Sequence, residues 1–135
     1  FSNWCFGVVH AGHVRYLQEA RRSGDCLVVG LNSYSSVRRQ NKSPDRPINT
    51  QEDRARVLAA LGCVDFVVIF DETTPLSLIN AIKPAILVKG ADWAEAAIVG
   101  AAEVKEAGGE VLRIPLTEGR STTKIIAHIQ KSATV

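Results

Sequence analysis

Four short apolar runs constrain this chain more than any other feature. They are Cys26-Leu27-Val28-Val29-Gly30-Leu31, Val64–Phe70, Ala85-Ile86-Leu87-Val88 and Val111-Leu112-Arg113-Ile114. Each is rich in branched aliphatics and bounded by turn residues. Strands that read as nearly unbroken apolar stretches are buried on both faces, the habit of parallel sheets covered by helices on either side. A strand-like stub ahead of Phe6 brings the expectation to about five parallel strands.

Helical patterns lie between these runs. His13, Tyr16, Leu17 and Ala20 share one face, and Val57, Leu58 and Leu61 share another, in a helix opened by Thr50 and the acidic pair Glu52-Asp53. Thr74-Pro75 reads as a cap and first turn ahead of Leu78, Ile79 and Ile82, with Pro84 as the stop. Ser121 is placed to cap a last helix whose buried stripe would be Ile125, Ile126 and Ile129. Strands alternating with helices predict a doubly wound α/β domain, a Rossmann-like fold with helices on both faces. Ligands in such folds sit beyond the carboxyl ends of the strands, where strand order reverses.

The 135 residues are expected to form a single domain, 1–135. The sequence contains no Met and opens within a strand, so the start of that strand is expected to be missing. A net charge of +2 gives no reason to expect nucleic acid as a partner. No apolar run approaches the roughly 20 residues of a membrane helix. Cys5, Cys26 and Cys63 are odd in number and widely spaced, which suits a reducing cytoplasm better than a disulfide or metal framework.

Three segments carry candidate chemistry. In Phe6-Gly7-Val8-Val9-His10-Ala11-Gly12-His13, two histidines three apart fall where a strand turns into a helix. Free N–H groups and the positive end of a helix make that a phosphate site, and Gly12 allows close backbone approach. Zinc would need further ligands nearby, and only Cys5 is close in sequence. In Gly119-Arg120-Ser121-Thr122-Thr123, Ser121 alone would satisfy a cap, so Thr122 and Thr123 are surplus hydroxyls able to hold another phosphate. Lys89-Gly90-Ala91-Asp92-Trp93 ends a predicted strand, where ligand contacts are usual or where a tight turn would suffice. Arg38 to Asn49 reads as a polar loop with four cations, Arg38, Arg39, Lys42 and Arg46. It is either a solvated loop or a lid that brings positive charge to phosphates. Neither dinucleotide-type nor P-loop glycine patterns are present.

Taken together, His10-Ala11-Gly12-His13 and Thr117-Glu118-Gly119-Arg120-Ser121-Thr122-Thr123 resemble the nucleotidyltransferases of the cytidylyltransferase-like superfamily, over nearly the whole chain. The finer resemblance is to heptose 1-phosphate adenylyltransferases of ADP-heptose and lipopolysaccharide synthesis. It rests on Asn32-Ser33, Arg46-Pro47-Ile48-Asn49, Glu52-Asp53-Arg54, Val88-Lys89-Gly90-Ala91-Asp92 and Ile114-Pro115-Leu116.

The resemblance implies transfer of AMP from ATP to a sugar 1-phosphate, with pyrophosphate leaving in line and Mg²⁺ arriving with the nucleotide. It implies catalytic roles for His10, His13, Lys42 and Arg39. Nucleotide contacts would come from Phe6, His10, Gly12, His13, Lys89, Gly90, Asp92, Ser121, Thr122 and Thr123. Asn32, Arg46 and Arg54 would face the sugar phosphate, and no metal is expected to be held by side chains alone. A homodimer and a fused or cooperating sugar kinase are further implications.

Four positions depart from the family pattern. Trp4 stands where Gly is usual, Gly7 and Tyr34 where Asp is usual, and Ala91 where Gly is commoner. The alternatives are a nucleotide-binding homologue with impaired catalysis, motivated by Trp4, Gly7 and Tyr34, and a cytidylyltransferase acting on CTP and a polyol phosphate. That second branch carries Arg where this chain has Leu116.

Overall fold

The computed structural model describes residues 1–40 and 44–134. Five strands run parallel: β1 (Ser2–Trp4), β2 (Val28–Asn32), β3 (Phe66–Phe70), β4 (Ile86–Gly90) and β5 (Glu110–Ile114). They form two ladders, β1-β2-β3 and β4-β5, where a single five-stranded sheet was expected. Phe1 joins the two. Its nitrogen donates to the Ile86 carbonyl at 2.8 Å, and its carbonyl accepts from the Val88 nitrogen at 2.8 Å. The strand sequence across the molecule is therefore 3-2-1-4-5. Connections leave β1 and β4 in opposite directions, which opens a crevice at their carboxyl ends.

Helices cover both faces, as the sequence predicts. α1 (Ala11–Arg22) buries His13, Tyr16, Leu17 and Ala20, the expected face in full. Tyr16, Leu17 and Ala20 join Leu27, Val29, Leu31, Leu58 and Val64 in one core cluster. The second cluster lies on the opposite face, around Phe1, Ile79, Leu87, Ile98, Ala101 and Val104.

α2 (Tyr34–Arg39) was not foreseen, and it takes Arg38 and Arg39 out of the expected loop. Ser33 caps it by accepting from the Ser36 nitrogen. α3 (Gln51–Ala59) starts at Thr50 as expected, but its buried residues are Arg54 and Leu58, while Val57 is exposed. α4 (Leu76–Ile82) starts one residue beyond the expected Thr74 cap, with Pro75 at the capping position and no side-chain bond there. A single 3₁₀ turn (Glu95–Ala97) and the unforeseen α5 (Ala101–Glu106) link β4 to β5. α6 (Thr122–Ala133) has the expected Ser121 cap, yet none of its residues is buried and Ile129 is 61% exposed. Its apolar stripe lies against little of the domain, which periodicity alone does not reveal. No described helix is long and apolar enough to cross a membrane.

Candidate functional site

β1 ends at Trp4, and the chain reverses through Phe6, held at a positive φ of 48°. A bulky residue in the left-handed region is costly. Here the ring is 97% buried and packs edge-on against His13 at 5.1 Å. The turn delivers the chain to α1 with His10 at its cap.

The two imidazoles close the helix start reciprocally. His10 Nδ1 accepts from the Gly12 nitrogen at 3.1 Å, and His13 Nδ1 accepts from the His10 nitrogen at 3.3 Å. Two N–H groups expected to face a ligand are therefore occupied by the histidines themselves. The same bonds place the ring protons on Nε2, with both rings neutral donors. The rings stack at 3.9 Å. Burial lowers the His13 pKa to about 4, with the neighbouring His10 adding to the effect and a backbone contact to Val8 opposing it. His10 is also lowered, by burial first and by Arg120 second. Gly12 is required by space: a Cβ there would lie 2.9 Å from His10 Cε1 and 3.1 Å from Arg120 Cβ.

The start of α6 meets the start of α1. Thr122 Oγ1 donates to the Val8 carbonyl at 3.2 Å, and Arg46 Nη2 donates to Thr123 Oγ1 at 3.1 Å. Ser121 Oγ accepts from the Lys124 nitrogen at 3.1 Å. Thr122 thus directs its proton to backbone, whereas the hydroxyl protons of Ser121 and Thr123 remain for a ligand.

A cavity of about 610 Å³ opens over this junction and reaches the ends of β1 and β4. That volume lies within the usual range for small-molecule sites. Its phosphate-like end carries His10, His13, Arg120, Ser121, Thr122 and Thr123, with Gly12 and Phe6 beside them. The rest of the lining is largely apolar and includes Trp4, Trp93, Ile98, Val99 and Leu116. Trp4 stacks on Tyr16 at 4.9 Å and meets His13 edge-on at 5.1 Å. Lys89 lines the cavity, donates to the Asn3 carbonyl at 3.1 Å and lies 5.2 Å from the centre of the Trp93 ring. Asp92, Asn32 and Arg46 also line it. Gly90 lies behind the wall, where a Cβ would meet Asp92 Oδ1 at 2.5 Å and Leu116 Cδ2 at 3.1 Å.

Besides Gly90, two further expected contacts are placed elsewhere. Arg39 turns to Asp71, donating to its carbonyl and pairing with its carboxylate at 4.0 Å, away from the cavity lining. Arg54 is 1% exposed and sits behind the site. It donates to the carbonyls of Asn49, Cys5 and Asn32 at 3.2, 2.9 and 2.7 Å, tying the ends of β1 and β2 to α3. Its role here is to hold the frame, and no cavity wall includes it. Lys42 lies outside the described residues.

Of the departures, Trp4 and Gly7 line the cavity, while Tyr34 is exposed and does not. Gly7 has nothing within 4 Å of where a Cβ would be. Arg120 lies inside the Thr117–Thr123 motif, yet nothing in the sequence distinguishes it from its neighbours there. The Phe6 turn carried no sequence signal.

Among the described residues no group of three or more His, Cys, Asp or Glu side chains gathers to cage a metal, and Asp92 is the one carboxylate on the cavity wall. This donor set fits a cation carried by phosphate oxygens and water.

The Cytidylyltransferase-like family model matches residues 5–128. Proteins called "Bifunctional protein HldE" are similar over almost the whole chain. The one from Syntrophotalea carbinolica is 54% identical over 96% of this chain and 26% of its own length. The one from Campylobacter concisus is 58% identical over 96% of this chain and 26% of its own. The chain therefore spans about a quarter of the length of these relatives. A crystal structure of the lipopolysaccharide core biosynthesis protein from Thermoplasma volcanium superposes with a TM-score of 0.70 at 26% identity, covering 88% of this chain and 95% of that one. A family match of this extent, on a fold and cavity of this kind, settles where the molecule belongs: this chain is a member of the cytidylyltransferase-like family.

Proposed function

We propose that the chain is an adenylyltransferase that moves AMP from ATP onto a sugar 1-phosphate, heptose 1-phosphate in the most specific form, releasing pyrophosphate. The observation that carries this reading is the meeting of two helix starts, a pair of neutral imidazoles and free hydroxyls in one cavity whose remaining lining is largely apolar. A triphosphate fits the polar end and a base the apolar lining. Leu116 on the apolar wall supports adenine over the cytosine-using branch. The relatives' description as bifunctional agrees with a further activity, a sugar kinase in this reading, in the rest of their length.

In the reaction, a phosphate oxygen of the sugar 1-phosphate attacks the α-phosphorus. The bond from that phosphorus to the bridging oxygen breaks, and pyrophosphate departs. His10 Nε2–H donates to phosphate oxygens as charge builds there, without itself changing protonation. Catalysis is then positioning and charge stabilisation by preorganised donors. Mg²⁺, when bound with the nucleotide, offsets charge on the phosphates.

The test is pyrophosphate release from ATP with Mg²⁺ and heptose 1-phosphate. The expected result is turnover that falls about a hundredfold in His10→Ala, the usual cost of one lost transition-state donor. Folded protein that releases nothing above background rejects the reading. A second reading, nucleotide binding with impaired turnover, is favoured by the Trp4 indole on the cavity wall beside His13. The double variant Trp4→Gly, Gly7→Asp separates the two, since a large gain in rate supports the impaired form.

A further inference from the structure

The phosphate end has a charge problem that the histidines do not solve. Both ring Nδ1 atoms accept backbone protons, the rings stack at 3.9 Å, and both are held neutral at ordinary pH. They offer dipoles, and a triphosphate carries several negative charges. Arg46 is engaged with Thr123, and Lys89 with the Asn3 carbonyl and the Trp93 ring.

Arg120 differs. Among the described residues its guanidinium has no hydrogen bond and no ion pair, and it is exposed on the cavity wall. Its Cβ sits over the first turn of α1, in the space that the missing Gly12 side chain leaves open. It is also the residue immediately before the Ser121 cap, so its position is fixed by two twelve-residue helices. Arginine presents its donors in a planar fork suited to phosphate oxygens.

We propose that, among the described residues, Arg120 supplies positive charge to the phosphate groups seated against His10 and His13, with Gly12 kept side-chain-free to admit it. The inference rests on the cavity being a triphosphate site and adds the group that binds it electrostatically.

The experiment measures equilibrium binding of inorganic tripolyphosphate to the full chain, a probe with neither base nor sugar and no turnover. Arg120→Gln is expected to weaken binding at least about tenfold, the scale of one charge-assisted pair. Arg120→Lys should recover part of that loss, and Arg22→Gln, at the far end of α1, should match the wild type. A second readout is the His10 ring titration followed by NMR. Loss of the Arg120 charge should raise its midpoint, an effect that a purely structural role would not produce. Binding by Arg120→Gln within twofold of the wild type, or no tripolyphosphate binding by the wild type, overturns the proposal. AMP transfer is assayed separately. Arg120-dependent tripolyphosphate binding without transfer would reject the adenylyltransferase and leave this inference standing, and active enzyme with Arg120-insensitive binding would do the reverse.

Discussion

α1 and α6 are both twelve residues long, and both begin at the cavity, but they are held by different means. α1 is fixed along its length: Tyr16, Leu17 and Ala20 are buried in a core cluster, and its start is closed by two imidazoles. α6 buries no residue and is attached chiefly through its first turn, by Thr122 to Val8 and Thr123 to Arg46. One helix is part of the frame; the other is an arm whose functional end is its anchored end. A strong amphipathic pattern reports the capacity to bury a face, and burial itself depends on what the fold places opposite.

The largest expected contrast is in stability. Leu17 is fully buried, so Leu17→Ala should cost about 3 kcal/mol in urea unfolding, while Ile129→Ala, at 61% exposure, should cost less than about 0.5 kcal/mol. Comparable losses would mean that α6 is packed as firmly as α1.

A similar effect should appear with pH. The folded-state pKa of His13 is about 4, against about 6.5 for an unfolded histidine. Between these values the unfolded chain binds a proton that the folded chain does not. The contribution is therefore complete above about pH 6.5 and is lost as pH falls toward 4. The size is on the order of 3 kcal/mol. Urea unfolding of the wild type and His13→Gln across that window checks it, since the variant should lack this component of the slope. Identical slopes would show that His13 ionises as freely as an unfolded histidine.

Smaller still is the effect at the arm's anchor. Thr122→Val removes the bond to the Val8 carbonyl and should cost about 1 kcal/mol. ATP affinity should fall with it by more than in Ile129→Ala, because the anchor and the hydroxyl end are the same turn. Equal affinities in the two variants would sever that link.

These contrasts also explain what the sequence could and could not disclose. The α1 face was legible because Tyr16, Leu17 and Ala20, at helical spacing, all found the core, with His13 buried beside them at the cavity. In α3 the same rule chose Val57, whereas Arg54 is buried there because three carbonyls from separate strands and loops receive its donors. Periodicity contains no information about such long-range partners. α2 has Val37 as its one buried apolar residue in six positions, too few to give a pattern. The two halves of the phosphate-like end were readable as motifs because each lies at a helix start. Their meeting depends on β1 and β4 being neighbours, which the order of strands in the chain does not state. Arg39 was readable as a cation but not as the partner of Asp71, a residue far along the chain on the other side of α3.

In the proposed reaction the start of α1 and the start of α6 grip one triphosphate. Its most direct test is an ATP titration with Mg²⁺, following the His10 and His13 ring signals and the Thr123 amide by NMR in one sample. All three are expected to move together and yield a single Kd. Histidine signals that stay still while Thr123 shifts, or two clearly different Kd values, would contradict it.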